Sequence, residues 1–180
     1  LPIITVSPNT PVCNGNGALL TADGANTYAW TPAATLNPST GASVTASPTT
    51  TTTYVVTGTD TNGCSSTAIT TVSVNPLPII TVSPNTSICI GNATQITAVG
   101  ATTYSWTPAA SLNPATGSSV TANPTTTTTY SVTGIDVNGC NNTASVIVNV
   151  NSLPLINVSP NTSICTGYGT LLTAGGANTY

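Results

Sequence analysis

The chain repeats itself every 76 residues. LPIITVSPNT begins at Leu1 and again at Leu77, and LPLINVSPNT begins at Leu153. Laid over one another without gaps, residues 1–76 and 77–152 are identical at 52 of 76 positions. Landmarks recur in register: Cys13 and Cys89, Trp30 and Trp106, Tyr54 and Tyr130, Cys64 and Cys140. Solenoid units run to about 20–50 residues, so a period this long is expected to be a small domain. The expected organisation is one β-sandwich over 1–76, a second over 77–152, and an N-terminal fragment of a third over 153–180. That fragment ends at Tyr180, the counterpart of Tyr28 and Tyr104, and is too short to close a core alone.

Alternation within each repeat is that of half-buried strands. Ile4 and Val6 share a face, as do Leu20 and Ala22, Tyr28 and Trp30, Val44 and Ala46, and Tyr54 and Val56. The last strand places Ala68, Val72 and Val74 together, and in the second copy Ala144, Val146, Val148 and Val150. Trp30, Trp106, Tyr54 and Tyr130 are the expected core. Substitutions between copies, Val55 to Ser131 and Ser73 to Asn149, fall on the outer face. Period two over six or seven segments predicts antiparallel sheets with one face buried. No helix is predicted, because TPAATLNP is short and bounded by prolines.

Turn chemistry agrees. Asn62-Gly63 and Asn138-Gly139 sit between strand patterns and read as hairpin turns with both central residues at positive φ. Asp60 and Asp136 precede them, and each is expected to cap its turn through the local backbone. The competing reading, a Ca²⁺ loop, has one carboxylate per repeat where calcium wants six to eight oxygens. The runs Thr49–Thr53 and Thr125–Thr129 have equal length in both copies and lead into core strands. The later threonines are expected to begin those strands, since β-branched threonine favours extended backbone, and the earlier ones to form the crossing from the Val44 strand after Pro48.

Composition excludes several function classes. The chain has no Lys, Arg or His, and its only acids are Asp23, Asp60 and Asp136. Phosphate recognition has no cationic footing, so nucleic acid is excluded as a partner. No run of about 18 apolar residues exists to span a membrane. General acid–base catalysis lacks its usual groups, so no enzyme activity, cofactor or metal is expected. Five cysteines without a CxxC pair or a histidine favour disulfides over zinc, which implies an oxidising, extracellular setting. The opening LP and the absence of a signal peptide at Leu1 read as a segment of something longer.

The motifs SPNTSICIGNATQITA, TYSWTPA, GSSVTANPTTTTTYSVTGIDVNGC and TASVIVNV resemble the Ig-like, PKD-like tandem repeats of giant surface adhesins in Bacteroidota. That family includes gliding-motility adhesins and other type IX secretion cargo, and the resemblance covers the whole chain. It implies an all-β fold of tandem Ig-like/PKD-like antiparallel sandwiches in a rod-like array. It further implies cell-surface exposure and a role as stalk or adhesive filament.

Two disulfide schemes follow. The expected one pairs Cys13 with Cys64 and Cys89 with Cys140 inside each repeat, leaving Cys165 without a partner. The other joins Cys13 to Cys140, because an Ig-like topology puts the first and last hairpin loops at opposite ends. The expected partners are neighbouring repeats of the same chain, homotypic filament neighbours, or a surface polysaccharide gripped by exposed aromatics such as Tyr168. Two functional alternatives therefore stand beside the stalk: a carbohydrate- or surface-binding module and a subunit of a polymerised fibre.

Overall fold

A computed structural model describes residues 1–179; Tyr180 lies outside the described residues. The first repeat contains β1 (Thr5–Val6), β2 (Thr10–Cys13), β3 (Ala18–Asp23) and β4 (Thr27–Thr31). A single 3₁₀ turn, Ala33–Thr35, leads to β5 (Leu36–Asn37), β6 (Ser43–Ala46), β7 (Thr52–Thr59) and β8 (Ser65–Asn75). The second repeat follows the same order: β9 (Thr81–Val82), β10 (Thr86–Cys89), β11 (Thr94–Val99), β12 (Thr103–Thr107), β13 (Leu112–Asn113), β14 (Ser119–Ala122), β15 (Thr128–Ile135) and β16 (Asn141–Asn151). Beyond it lie β17 (Asn157–Val158) and β18 (Ala174–Gly175).

Each repeat folds as two four-stranded sheets. In the first they run β1-β3-β6-β5 and β2-β8-β7-β4, and in the second β9-β11-β14-β13 and β10-β16-β15-β12. The fold is all-β, a tandem of Ig-like sandwiches. One sheet supplies Leu20, Ala22, Val44 and Ala46 to the first core, and the other supplies Tyr28, Trp30, Tyr54, Val56 and Val72. Ile96, Tyr104, Trp106, Val120, Tyr130 and Val148 occupy the matching core of the second repeat.

The buried polar groups have partners. Trp30 Nε1–H donates to the Gly41 carbonyl at 2.9 Å, and Trp106 does the same to Gly117 at 3.0 Å. The Tyr54 hydroxyl lies 2.6 Å from Thr35 Oγ1, and the Tyr130 hydroxyl lies 2.5 Å from Ser111 Oγ. This matters energetically because an unsatisfied buried donor or acceptor costs about 1–3 kcal/mol. Gly58 is required where β7 passes under β1: a Cβ there would lie 2.4 Å from Ile4 Cδ1 and 2.9 Å from Ala25 Cβ.

Two expectations need correction. The sheets are not wholly antiparallel, since β2 pairs parallel with β8 and β10 parallel with β16. Alternation sets which face a residue presents, and it carries no information about the direction of the partner strand. The Asn-Gly turns also differ from the two-residue form. Among the described residues none other than glycine has positive φ, so Asn62 and Asn138 do not, while Gly63 sits at +80° and Gly139 at +78°. The loop between β7 and β8 runs from Asp60 to Cys64, with Asp60 N–H donating to the Cys64 carbonyl at 2.9 Å. A turn over residues 60–63 that ends on a glycine at positive φ needs only one left-handed residue.

The threonine run is part of the fold. Thr52 and Thr53 already belong to β7. Thr51 Oγ1 accepts the Val74 N–H of the neighbouring strand at 3.0 Å, and Thr127 Oγ1 accepts that of Val150. Thr53 and Thr71, directly opposite across β7 and β8, join their hydroxyls at 3.1 Å. Hydroxyls thus serve as partners along a surface that carries few charges.

Candidate functional site

The chemistry of the chain is concentrated where the two repeats meet. Cys13 closes β2, and its loop continues through Asn14, Gly15 and Asn16. The local fold is fixed by Asn16 N–H donating to the Cys13 carbonyl and Asn14 N–H to the Asn75 carbonyl, both at 2.9 Å. From the second repeat comes the hairpin loop Asp136–Cys140. One carboxylate oxygen of Asp136 accepts the backbone N–H groups of Asn138 at 2.8 Å and Cys140 at 2.9 Å. Asp60 holds its own hairpin identically through Asn62 and Cys64. The aspartates therefore set the direction in which each following cysteine points.

Cys13 and Cys140 are joined in a disulfide with Cα atoms 5.5 Å apart. The expected pairs within a repeat do not form, and the register shows why. Cys13 lies beside Asn75 at the end of β8, while Cys64 immediately precedes Ser65 at its start. Eleven residues of strand separate them, roughly 35 Å at the usual rise, whereas a disulfide needs Cα atoms about 4.4–6.8 Å apart. Cys64, Cys89 and Cys165 are free and exposed.

The junction changes the exposure of its members. Cys140 is fully buried, whereas its counterpart Cys64 is exposed. Leu77 is 38% exposed, against 92% for Leu1 at the equivalent position. Pro78 is buried, and its carbonyl accepts the Asn142 side-chain N–H at 3.0 Å. A cleft of about 220 Å³ between the repeats is lined by Cys13, Asn14, Gly15, Asn16, Leu77, Gly139 and Asn141. None of these side chains is ionisable in the bonded state.

The remaining sites carry less chemistry. Trp30 and Trp106 are buried and present no platform to solvent. Tyr168 is 75% exposed, standing where the other copies have Asn16 and Asn92. Asp23 and Asp60 border one open cleft of about 300 Å³, but Val99 replaces Asp23 in the second copy. Among the described residues no three His, Cys, Asp or Glu side chains gather into a metal-binding group. No helix among them is long and apolar enough to cross a membrane.

Two structural positions escaped the sequence reading. Asn9 Oδ1 accepts the Thr71 N–H at 3.0 Å, and Asn85 Oδ1 accepts that of Ile147 at 2.9 Å. These bonds tie the SPNT segment to the last strand, more than sixty residues away, and the recurrence of SPNT in all three copies was the available signal. Thr70 is buried, its hydroxyl donating to the Ser7 carbonyl at 2.9 Å. Its counterpart, Val146, was the clue to an inward position.

No family model matches the chain, and no curated protein matches it. Solved structures similar to it include tandem immunoglobulin domains. The insect immune protein hemolin is 14% identical over 83% of this chain, with a TM-score of 0.43, and the chain spans about half (47%) of hemolin's length. The DIP-gamma IG1+IG2 pair is 12% identical over 83% of this chain and 98% of its own, at 0.39. Sidekick-1 immunoglobulin domains 1–4 are 17% identical over 89% of this chain and 54% of their own, at 0.36.

Proposed function

We propose that this chain is a load-bearing structural segment of an extracellular bacterial surface adhesin, a stalk or filament of tandem Ig-like repeats. Residues 1–76 and 77–152 are its units, and 153–180 open a third. The observation that carries the reading is the Cys13–Cys140 bond, which joins one repeat covalently to the next. A bond in this position fixes the spacing of neighbours and persists in an oxidising setting. The sparsely charged surface, the hydroxyl pairs across strands and the scarcity of proton-transfer groups favour a structural role over catalysis. Export by a type IX route is the finer inference, resting on the resemblance to Bacteroidota adhesin repeats.

Solution scattering tests the stalk. Two repeats end to end, each as long as an 11-residue strand, make a rod of roughly 75–80 Å at the usual rise, with a radius of gyration of about 24 Å. A compact globule of this length has about 16 Å. The rod value supports the proposal, and the compact value contradicts it.

A further inference from the structure

We infer that Cys89 and Cys64 are open halves of the junction bond already closed between Cys13 and Cys140. Each repeat is thus stapled forward by its first cysteine and backward by its second, in a continuous ladder. The inference deepens the stalk reading and rests on it for the end-to-end order of repeats.

Four observations support it. First, the 76-residue register makes Cys89 the counterpart of Cys13, and Cys64 that of Cys140. Second, the loops present their cysteines alike: Asn92 N–H donates to the Cys89 carbonyl at 3.0 Å, as Asn16 does to Cys13, and Gly91 and Gly15 have φ of +90° and +91°. The Asp60 hairpin repeats the bonds of the Asp136 hairpin. Third, no partner is available inside the repeat, because Cys64 and Cys13 occupy opposite ends of β8. Fourth, residues 153–179 follow β16 and open with the first pairing of a further repeat. There β17 pairs with β18 as β1 pairs with β3. Their inward positions lie open: Leu172 is 73% exposed where Leu20 is fully buried. The partner of Cys89 is therefore the D-x-N-G-C hairpin of a repeat completed from residue 153 onward.

The chemistry balances with a low-molecular-weight disulfide as oxidant. The Cys89 thiolate attacks one sulfur of the oxidant and expels a thiolate, leaving a mixed disulfide. The thiolate of the hairpin cysteine then attacks the Cys89 sulfur and expels the second. Two protein thiols lose two electrons and two protons, and the oxidant leaves as two thiols. In the finished ladder, tension entering at Cys13 crosses to Cys140, follows the backbone to Cys165, and crosses again.

The test lengthens the chain. A second copy of residues 105–152 appended after Tyr180 completes the third repeat and supplies a copy of Cys140. The protein is refolded in a glutathione redox buffer, alkylated, and mapped without reduction. The expected peptides are Cys13–Cys140 and Cys89 bonded to the appended copy of Cys140, with Cys64 and Cys165 alkylated. Cys89 alkylated beside an intact Cys13–Cys140 bond overturns the inference. So does the appended cysteine bonded to Cys165, a Cys89–Cys64 link between molecules, or loss of both bonds. Scattering on the same sample separates the two ideas. A rod with Cys89 free rejects only the ladder, and a compact particle with both bonds rejects only the stalk.

Discussion

Replacing Cys140 with serine isolates what the junction bond contributes. The bond closes a loop spanning 127 residues, and the chain-entropy relation gives about 5 kcal/mol for that length at 25 °C. It also acts when one repeat opens alone. With the first repeat folded, the unfolded segment from about residue 76 to Cys140 remains tethered to Cys13, and a loop of about 64 residues is still worth roughly 4 kcal/mol. Each repeat is thereby stabilised by its neighbour. Trp30 and Trp106 are buried in separate cores and report the two unfolding events by fluorescence. In non-reducing urea, with a slope of about 2 kcal/mol/M, Cys140→Ser is expected to lower the midpoint by roughly 2 M. Cys13→Ser should do the same, and the double variant no more, since both remove one bond. Cys64→Ser should leave the midpoint unchanged, because Cys64 is free and exposed. Equal midpoints for Cys140→Ser and the parent, or an equal loss in Cys64→Ser, would refute the reasoning.

Three further substitutions probe the fold that presents the junction. Asp136→Ala removes the acceptor of two backbone N–H groups and is expected to cost about 1–2 kcal/mol. The same variant should slow Cys13–Cys140 closure in a quenched refolding series. Gly58→Ala drives a Cβ against Ile4 and Ala25, with an expected loss of about 1–3 kcal/mol by urea titration. Tyr54→Phe leaves Thr35 Oγ1 without its buried-side partner, for about 1 kcal/mol in the same assay.

The sequence displayed the repeat, its strands and its core because those follow from short-range alternation. Trp30 and Leu20 are inward for the reason the pattern suggested: their strands present every second residue to the core. What the sequence concealed depends on non-local pairing. The parallel partnership of β2 with β8 has no local signature, yet it places Cys13 beside Asn75 and thereby forbids the bond to Cys64. The Asn62-Gly63 pair marked the hairpin correctly but not its length, because Asp60 and Cys64 add to the loop residues that alternation alone would give to the strands. The role of Asn9 has no local signature, since its partner at Thr71 is remote in sequence. The two copies mark Thr70 as inward, because Val146 stands at its position in the second repeat.

The central claim is that load passes from repeat to repeat through the junction bond. Pulling the 180-residue chain by its two ends, with and without reductant, tests it most directly. With the bond intact, the segment between Cys13 and Cys140 cannot extend, whatever unfolds within it. Its 127-residue separation corresponds to roughly 440 Å of extended chain. The account predicts that this length is absent from the fully stretched oxidised chain and appears only after reduction. Equal final extension in the two conditions would contradict it.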